Sequence, residues 1–401
     1  MRSTWTALLT LGVLVSSQTA RGGGPLIFSR NGNIVKWAAG ASTLTVTLDR
    51  GSLGALTNAQ ADALVTSVLG VWGAVPESTA NPTAAAGELP VDVDETNASF
   101  YLGGPLGYTP VIYDVDGSIV DALFGAGASR QILGFASPLY WVEVNPPNLP
   151  VDLPIPEGHV VLNGVFLDGV DLGASNPELT QQEFEGVIIH EVGHLLGLDH
   201  TQINALDPTN VDQPTMFPQY RGGTDMGTLA PDDIAWIAYL YPSAQYASSF
   251  GGIAGQVLEF DGAVNRGYQG INVIARRVGG GRIDAVSCVS GCLYHAGYGP
   301  ANLRGRFILP GVPAGSYTVE VEEVLDIWTG GSSVGPLDPP VDFPGVSGPE
   351  FYNYFHESAW DNPTARTPFA VMVGGEVSEI DIILNTLSTG PSRAAQWLLY
   401  R

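Results

Sequence analysis

Three of the chain's six histidines fall in one short run, His190-Glu191-Val192-Gly193-His194-Leu195-Leu196-Gly197-Leu198-Asp199-His200. Positions four apart on an α-helix share a face, so the imidazoles of His190 and His194 can reach one ion at Zn–N separations of about 2.0–2.1 Å. Gly197 permits a sharp turn after the helix, which would bring His200 back as a third nitrogen ligand. Three neutral histidines leave the fourth tetrahedral position open, as in a catalytic rather than a structural zinc site. Glu191, next to the first ligand, can take a proton from a water at that position and pass it to a leaving amine. The chemistry this predicts is hydrolysis of a peptide bond. With so few histidines, the five fixed positions recur by chance on the order of 10⁻⁵ times per chain, so coincidence explains them poorly.

Such side chains need a helix and a frame to hold it. Thr180-Gln181-Gln182-Glu183 is a capping-box pattern, and it predicts a helix from Thr180 to about Leu196 with Gly197 as its left-handed stop. A second helix is expected from Asp232 to Leu240, with Pro231 at its start and Asp232 and Asp233 where negative charge meets the positive helix end. Leu64, Val65, Val68, Leu69 and Trp72 recur at helical spacing between Asn58 and Val75, which Pro76 closes. The Pro/Ala/Gly-rich stretch Pro76 to Pro90 reads as a connector. Strands are expected at Leu44–Leu48, Val111–Asp114, Gln131–Ala136, Tyr140–Val144 and His159–Leu162. After a linker from Pro242 to Ser249 the pattern changes to strands alone: Ile253–Phe260, Ile271–Val278, Arg306–Leu309, Ser316–Val321, Phe369–Val373 and Glu379–Leu384. Their spacing predicts an antiparallel sandwich.

The zinc motif resembles that of the metzincin peptidases, H-E-x-x-H-x-x-G-x-x-H followed by a methionine turn, and within them the matrixins. Pro214-Thr215-Met216-Phe217-Pro218-Gln219-Tyr220 is similar to the matrixin Met-turn, and Leu229-Ala230-Pro231-Asp232-Asp233-Ile234 to the start of its C-terminal helix. The resemblance implies an α+β catalytic domain, a twisted, mostly parallel sheet with three helices, over 41–245. It makes Met216 the floor beneath the histidines, and Pro218 and Tyr220 part of the pocket for the residue after the scissile bond. Ile132 to Pro138 would be the edge strand against which an extended substrate lies; a plain buried strand fits the same residues. Met216 follows His200 by sixteen positions, about twice the family's usual interval, so an enlarged loop should border the cleft. Residue 201 is Thr where the family favours Ser, and no cysteine-switch segment precedes the domain. The strands of 250–388 resemble the carboxypeptidase-regulatory-like, transthyretin-type sandwich, and 389–401 would be a tail.

Composition bounds the rest. Of 401 residues, 40 are acidic and 16 basic, a net charge of −24, which argues against a nucleic-acid partner. Arg2, the apolar stretch Trp5–Val15 and the small residues to Ala20 have the order of a secretory signal peptide over 1–20, too short for a membrane span. A secreted enzyme is therefore expected. Asp114, Asp116 and Asp121 around Gly117 could hold Ca²⁺, as the Gly/Asp loop of matrixins does, or could simply form an Asp-Gly turn, with Asp168 and Asp171 as lesser contributors. His159 stands where matrixins place a structural-zinc histidine, but its companions are missing and a strand-edge or surface role is expected. Cys288 and Cys292 are close enough to pair in an oxidising compartment; a metal site with His295 is the alternative. Trp328, Tyr352, Tyr354, Phe355 and Trp360 either cover the sandwich core or form a polymer- or protein-binding surface. Two rival functions stay open: an exported binding or adhesion protein with a vestigial peptidase, and a zinc hydrolase of non-peptide amides.

Overall fold

Val46 and Leu48 are buried while Thr45 between solvent and strand is exposed, the alternation of a strand with one face on a core; this is β1 (Thr45–Leu48). In the computed structural model, which describes residues 24–26, 33–38, 42, 44–104, 106–139, 142–143, 149–150, 154–171, 173, 177–205, 212–291, 304–323 and 350–385, the chain continues as α1 (Asn58–Gly73), β2 (Thr83–Glu88), α2 (Ala98–Leu102), β3 (Thr109–Asp114), α3 (Ser118–Phe124), β4 (Gly134–Leu139), a short ribbon of β5 (Val142–Glu143) and β6 (Leu149–Pro150), β7 (Glu157–Asn163), α4 (Gln181–Leu195), α5 (Pro231–Leu240) and α6 (Tyr246–Ser249). The main sheet has the order β2-β1-β3-β7-β4. Four strands are parallel, and β4 runs antiparallel to β7 at one edge. A mostly parallel sheet with three longer helices is what the sequence led one to expect.

Parallel strands must be covered on both faces. One face buries Val46, Val111, Val160 and Leu162 with the apolar sides of α1 and α4, including Leu64, Val68 and Ile188. The other packs Ile112 and Val161 against Leu89, Tyr101 and Ile119. Trp72 ties α1 to α4: its ring is fully buried and its indole N–H donates to the Ile189 carbonyl at 3.0 Å.

Two expectations are corrected in this half. The Pro76–Pro90 connector contains β2, which pairs in parallel with β1. Its side chains are largely exposed, with Ala84 half-buried against the core, so no hydrophobic alternation advertises it. His159 is neither at a strand edge nor on the surface. It lies on β7, which is flanked by β3 and β4, and it is buried with Phe135 edge-on to its ring, centroids 6.1 Å apart.

The second half comprises β8 (Phe250–Phe260), β9 (Asn265–Gly267), β10 (Ile271–Arg277), β11 (Ala285–Val289), β12 (Arg306–Pro313), β13 (Gly315–Glu323), β14 (Glu350–Phe351), β15 (Phe369–Val371), β16 (Glu376–Val377) and β17 (Ile382–Leu384). One sheet runs β11-β10-β13-β14 with β15 on β13, and the other is built around β8 with β12, β16, β9 and β17. Val273, Val319 and Val321 of the first pack with Val257, Phe307 and Leu309 of the second in one apolar core. The predicted antiparallel sandwich needs one amendment, because β16 and β17 both run parallel to β8. Cys288 is buried on β11; Cys292 and His295 lie outside the described residues, as do 1–20 and 389–401. Of the loop aromatics, Tyr352 is buried, whereas Phe355 and Trp360 are 83% and 77% exposed, and Trp328 lies outside the described residues. Among the described residues no helix is long and apolar enough to cross a membrane.

Asp49, directly after β1, organises the turn between strands. Its carboxylate accepts the backbone N–H groups of Arg50 (2.7 Å), Val93 (3.1 Å) and Tyr113 (3.0 Å). Burial nevertheless pushes its pKa up to about 6. A carboxyl raised above its unfolded value near 4 stabilises the fold fully below that value, and the contribution is lost as pH rises through about 6. Urea titrations at stepped pH should therefore show stability declining between about pH 4 and pH 6–7. Asp49→Asn should be less stable throughout, since its amide meets the Tyr113 N–H, but should show a flatter profile. An unchanged profile in the variant would assign the decline to other groups.

Candidate metal centre

Helix α4 begins as its sequence prescribes. Thr180 Oγ1 accepts the Glu183 N–H at 3.3 Å, and Glu183 Oε2 accepts the Thr180 N–H at 2.9 Å. At the other end Gly197 adopts φ +94°, and the N–H groups of Gly197 and Leu198 close on the carbonyls of His194 (2.9 Å) and Gly193 (3.0 Å). This is the paired Schellman pattern, and its left-handed residue suits glycine. The remaining terminal carbonyls are taken by distant groups. Trp37 Nε1 donates to Leu195 O (2.6 Å), Tyr241 Oη to Leu196 O (2.6 Å) and Leu26 N to Gly197 O (2.7 Å). Pro25 and Leu198 form an isolated antiparallel bridge, so the segment 24–26 braces the backbone just before His200.

The turn delivers His200 to the other two histidines. Its Nε2 lies 3.1 Å from Nε2 of His190 and 3.0 Å from Nε2 of His194, and all three side chains are buried. His190 Nδ1 sits 2.7 Å from the Thr215 carbonyl, and His194 Nδ1 2.8 Å from the Leu198 carbonyl. A carbonyl can only accept, so both Nδ1 atoms carry the proton and both Nε2 lone pairs point inward. Burial pushes the two pKa values down, to about 4 and about 3, which keeps the rings neutral at physiological pH. Converging lone pairs at this distance repel unless a cation lies among them. Nitrogens ligating one tetrahedral zinc stand about 3.3 Å apart, close to what is found. The donor set fits zinc, and among the described residues this is the one group of three or more His, Cys, Asp or Glu side chains that could hold a metal ion.

Met216 is buried beneath the motif. A Cβ added at Gly193 would come 2.4 Å from Met216 Sδ and 2.9 Å from Trp72 Cζ2, so glycine at the centre of the motif lets α4 settle onto both. Sequence reasoning missed what fixes the methionine's backbone. Asp233, at the start of α5, accepts the N–H groups of Thr215 (2.9 Å), Met216 (3.0 Å) and Ala230 (2.7 Å). The signal was present in the Asp232-Asp233 pair, which was read only as charge at a helix start.

Glu191 is buried, and its Oε2 has no hydrogen-bond partner among the described residues. Burial pushes its pKa up to about 8, and the charge of a zinc held by the neighbouring histidines would draw it back toward the ionised form that a base needs. A Cβ added at Gly134 would lie 3.1 Å from Glu191 Cγ, which places this carboxylate beside edge strand β4. Pro218 is half-buried, and Tyr220 turns back to donate to Glu183 Oε1 at 2.7 Å.

The acidic residues predicted to bind calcium do not converge. Asp114 accepts the N–H groups of Ile119 and Val120 at the start of α3, Asp116 that of Ser118, and Asp121 those of Gly127 and Ser129. Asp168 and Asp171 each accept the N–H two residues on. These carboxylates serve backbone turns, which short acidic side chains do well.

Residues 158–242 match the model of the matrixin family, Peptidase M10. A stretch of 65 residues is 42% identical to Metalloendoproteinase 5-MMP of Arabidopsis thaliana, spanning 16% of this chain and 16% of that protein. Among solved structures, the minor pilin GBS52 of Streptococcus agalactiae aligns over 36% of this chain and 49% of its own with 14% identity and a TM-score of 0.19.

Replacing Asp233 by Ala strands three N–H donors, at about 1–3 kcal/mol for each that stays buried. Urea unfolding of Asp233→Ala should show a loss of about 3–5 kcal/mol, whereas a loss below about 1 kcal/mol would mean that the Met-turn holds itself.

Proposed function

We propose that this chain is a secreted zinc-dependent endopeptidase. The observation that carries the reading is the convergence of three inward-facing imidazole nitrogens next in sequence to Glu191, whose buried Oε2 has no partner among the described residues, on a helix that lies against an edge strand. The matrixin match over the same residues supports it. Secretion rests on the signal-like order of residues 1–20.

His190, His194 and His200 would hold the zinc, which when bound supplies Lewis-acid polarisation of a carbonyl and of a water. The chain's own residues do the rest. An extended peptide adds to the free edge of β4, where backbone hydrogen bonds fix its direction. Glu191 takes the proton of the attacking water and returns it to the leaving nitrogen. Its carboxylate is buried, and Oε2, which accepts no hydrogen bond from the described residues, stays open to that proton. Thr215 and Leu198 keep the imidazoles in the ligating tautomer through their carbonyls. Pro218 and Tyr220 would line the pocket for the residue after the scissile bond. Peptidase and sandwich would occupy 41–245 and 250–388, with the exposed Phe355 and Trp360 available to a polymer or protein ligand.

Purified Glu191→Ala should bind one zinc per chain, as the wild type does, and lose cleavage of a peptide library by about 10³-fold or more. Cleavage at the wild-type rate would remove Glu191 from the mechanism. A wild-type protein that holds zinc, binds a matrix polymer and cleaves no peptide would favour the adhesion reading.

A further inference from the structure

In a sandwich, strand residues alternate between the core and the outside. On β10, Ile271, Val273 and Ala275 enter the core, so Asn272, Ile274 and Arg276 should face water. Yet Asn272 and Ile274 are fully buried. On β11, Val286 and Cys288 enter the core, and the outward Ser287 is fully buried too. What covers this outer face is the chain that follows His200. Ile203 packs with Ile274 and Ala285 in a small apolar cluster. Gln202 Nε2 donates to Glu322 Oε1 (2.8 Å) and to the Glu323 carbonyl (2.7 Å) on β13. Arg276, paired with Glu320, donates to Asn204 Oδ1 at 3.0 Å. Asn204, at φ +62°, donates in turn to the Asp212 carbonyl at 2.8 Å, clasping the leg that leaves His200 to the leg that returns to Met216.

Ser287 fixes the register of this contact. β11 is the edge of its sheet and antiparallel to β10, so alternate residues turn their backbone N–H and C=O away from the neighbouring strand, Ser287 among them. Ser287 N donates to Asp232 Oδ1 (2.7 Å), Ser287 O accepts from Trp236 Nε1 (2.9 Å), and Ser287 Oγ meets Thr201 Oγ1 (2.9 Å). The first turn of α5 therefore faces two ways, Asp233 to the Met-turn and Asp232 to the sandwich.

We propose that the outer face of the β11-β10-β13 sheet is the seat of residues 201–204, the leg that leaves His200 toward Met216, making the sandwich a specificity-determining part of the peptidase site. The connection is longer than in the family it resembles, and its described legs, 201–205 and 212–215, are held by these contacts. Gln202, Ile274 and Arg276 are positioning residues: they act on substrate choice through the loop. This inference rests on the peptidase reading for its consequence, while the seat itself is tested without any activity.

The experiment compares full-length, zinc-loaded wild type with Gln202→Ala/Arg276→Ala and, separately, Ile274→Ala; Val264→Ala, an exposed change on the same sandwich, is the control. Amide hydrogen exchange in 201–205 and 212–217 should speed up at least about tenfold in both seat variants and stay at the wild-type rate in the control. In a peptide library, the ratio of kcat/KM between the best and second-best residue after the scissile bond should fall about tenfold, with zinc stoichiometry unchanged. Exchange within twofold of wild type in both seat variants overturns the seat. Faster exchange with an unaltered cleavage profile overturns the specificity role. A wild type that cleaves nothing overturns the peptidase reading, and the specificity role with it, whatever the exchange shows.

Discussion

A single buried carboxylate, Asp233, sits where the two halves of the histidine site meet. It gathers the N–H groups of Thr215 and Met216 onto the start of α5, and Thr215 in turn offers its carbonyl to His190 Nδ1. The imidazole's orientation is thus set by a strand of bonds that leaves α4, crosses the Met-turn and ends on a different helix. Nothing along that path faces water, so each bond is exchanged against an unsatisfied group rather than a hydrated one, and the arrangement is all-or-none.

The opposite end of α4 is held by the same logic with different atoms. Its last carbonyls would be orphans in an isolated helix. Here Trp37, Tyr241 and Leu26, far from α4 in sequence on either side, each supply one donor. A helix whose end is tied to so many elements cannot shift without moving the whole body, which is what a site requiring sub-ångström placement demands.

The site was largely legible in the sequence because its spacing follows from helix geometry and a glycine turn. His190, His194 and His200 are brought together as a period of four and the Gly197 stop require. The capping box of Thr180 and Glu183 likewise marks a real boundary. Illegible elements were those whose reasons lie elsewhere in the chain. β2 has no pattern because it buries little, and His159 is interior because β4 pairs outside it. The Asp114–Asp121 group resembled a cation loop because carboxylates that accept backbone N–H groups and carboxylates that ligate calcium share the same turn-rich setting. The buried outer face of β10 and β11 could not be read locally at all, since alternation reports a side chain's direction and not what waits there.

The brace formed by residues 24–26 and 33–37 has a kinetic meaning. Leu26 bonds to Gly197, and Lys36 Nζ reaches the Leu240 carbonyl 204 positions away. Such contacts close only after the intervening chain has collapsed, and the entropy of closing large loops must be met before they give any return. Contacts of this span raise the non-local share of the fold, the share that slows folding as a whole. The histidine cluster is thus completed by the fold's longest-range contacts as well as by local helix geometry.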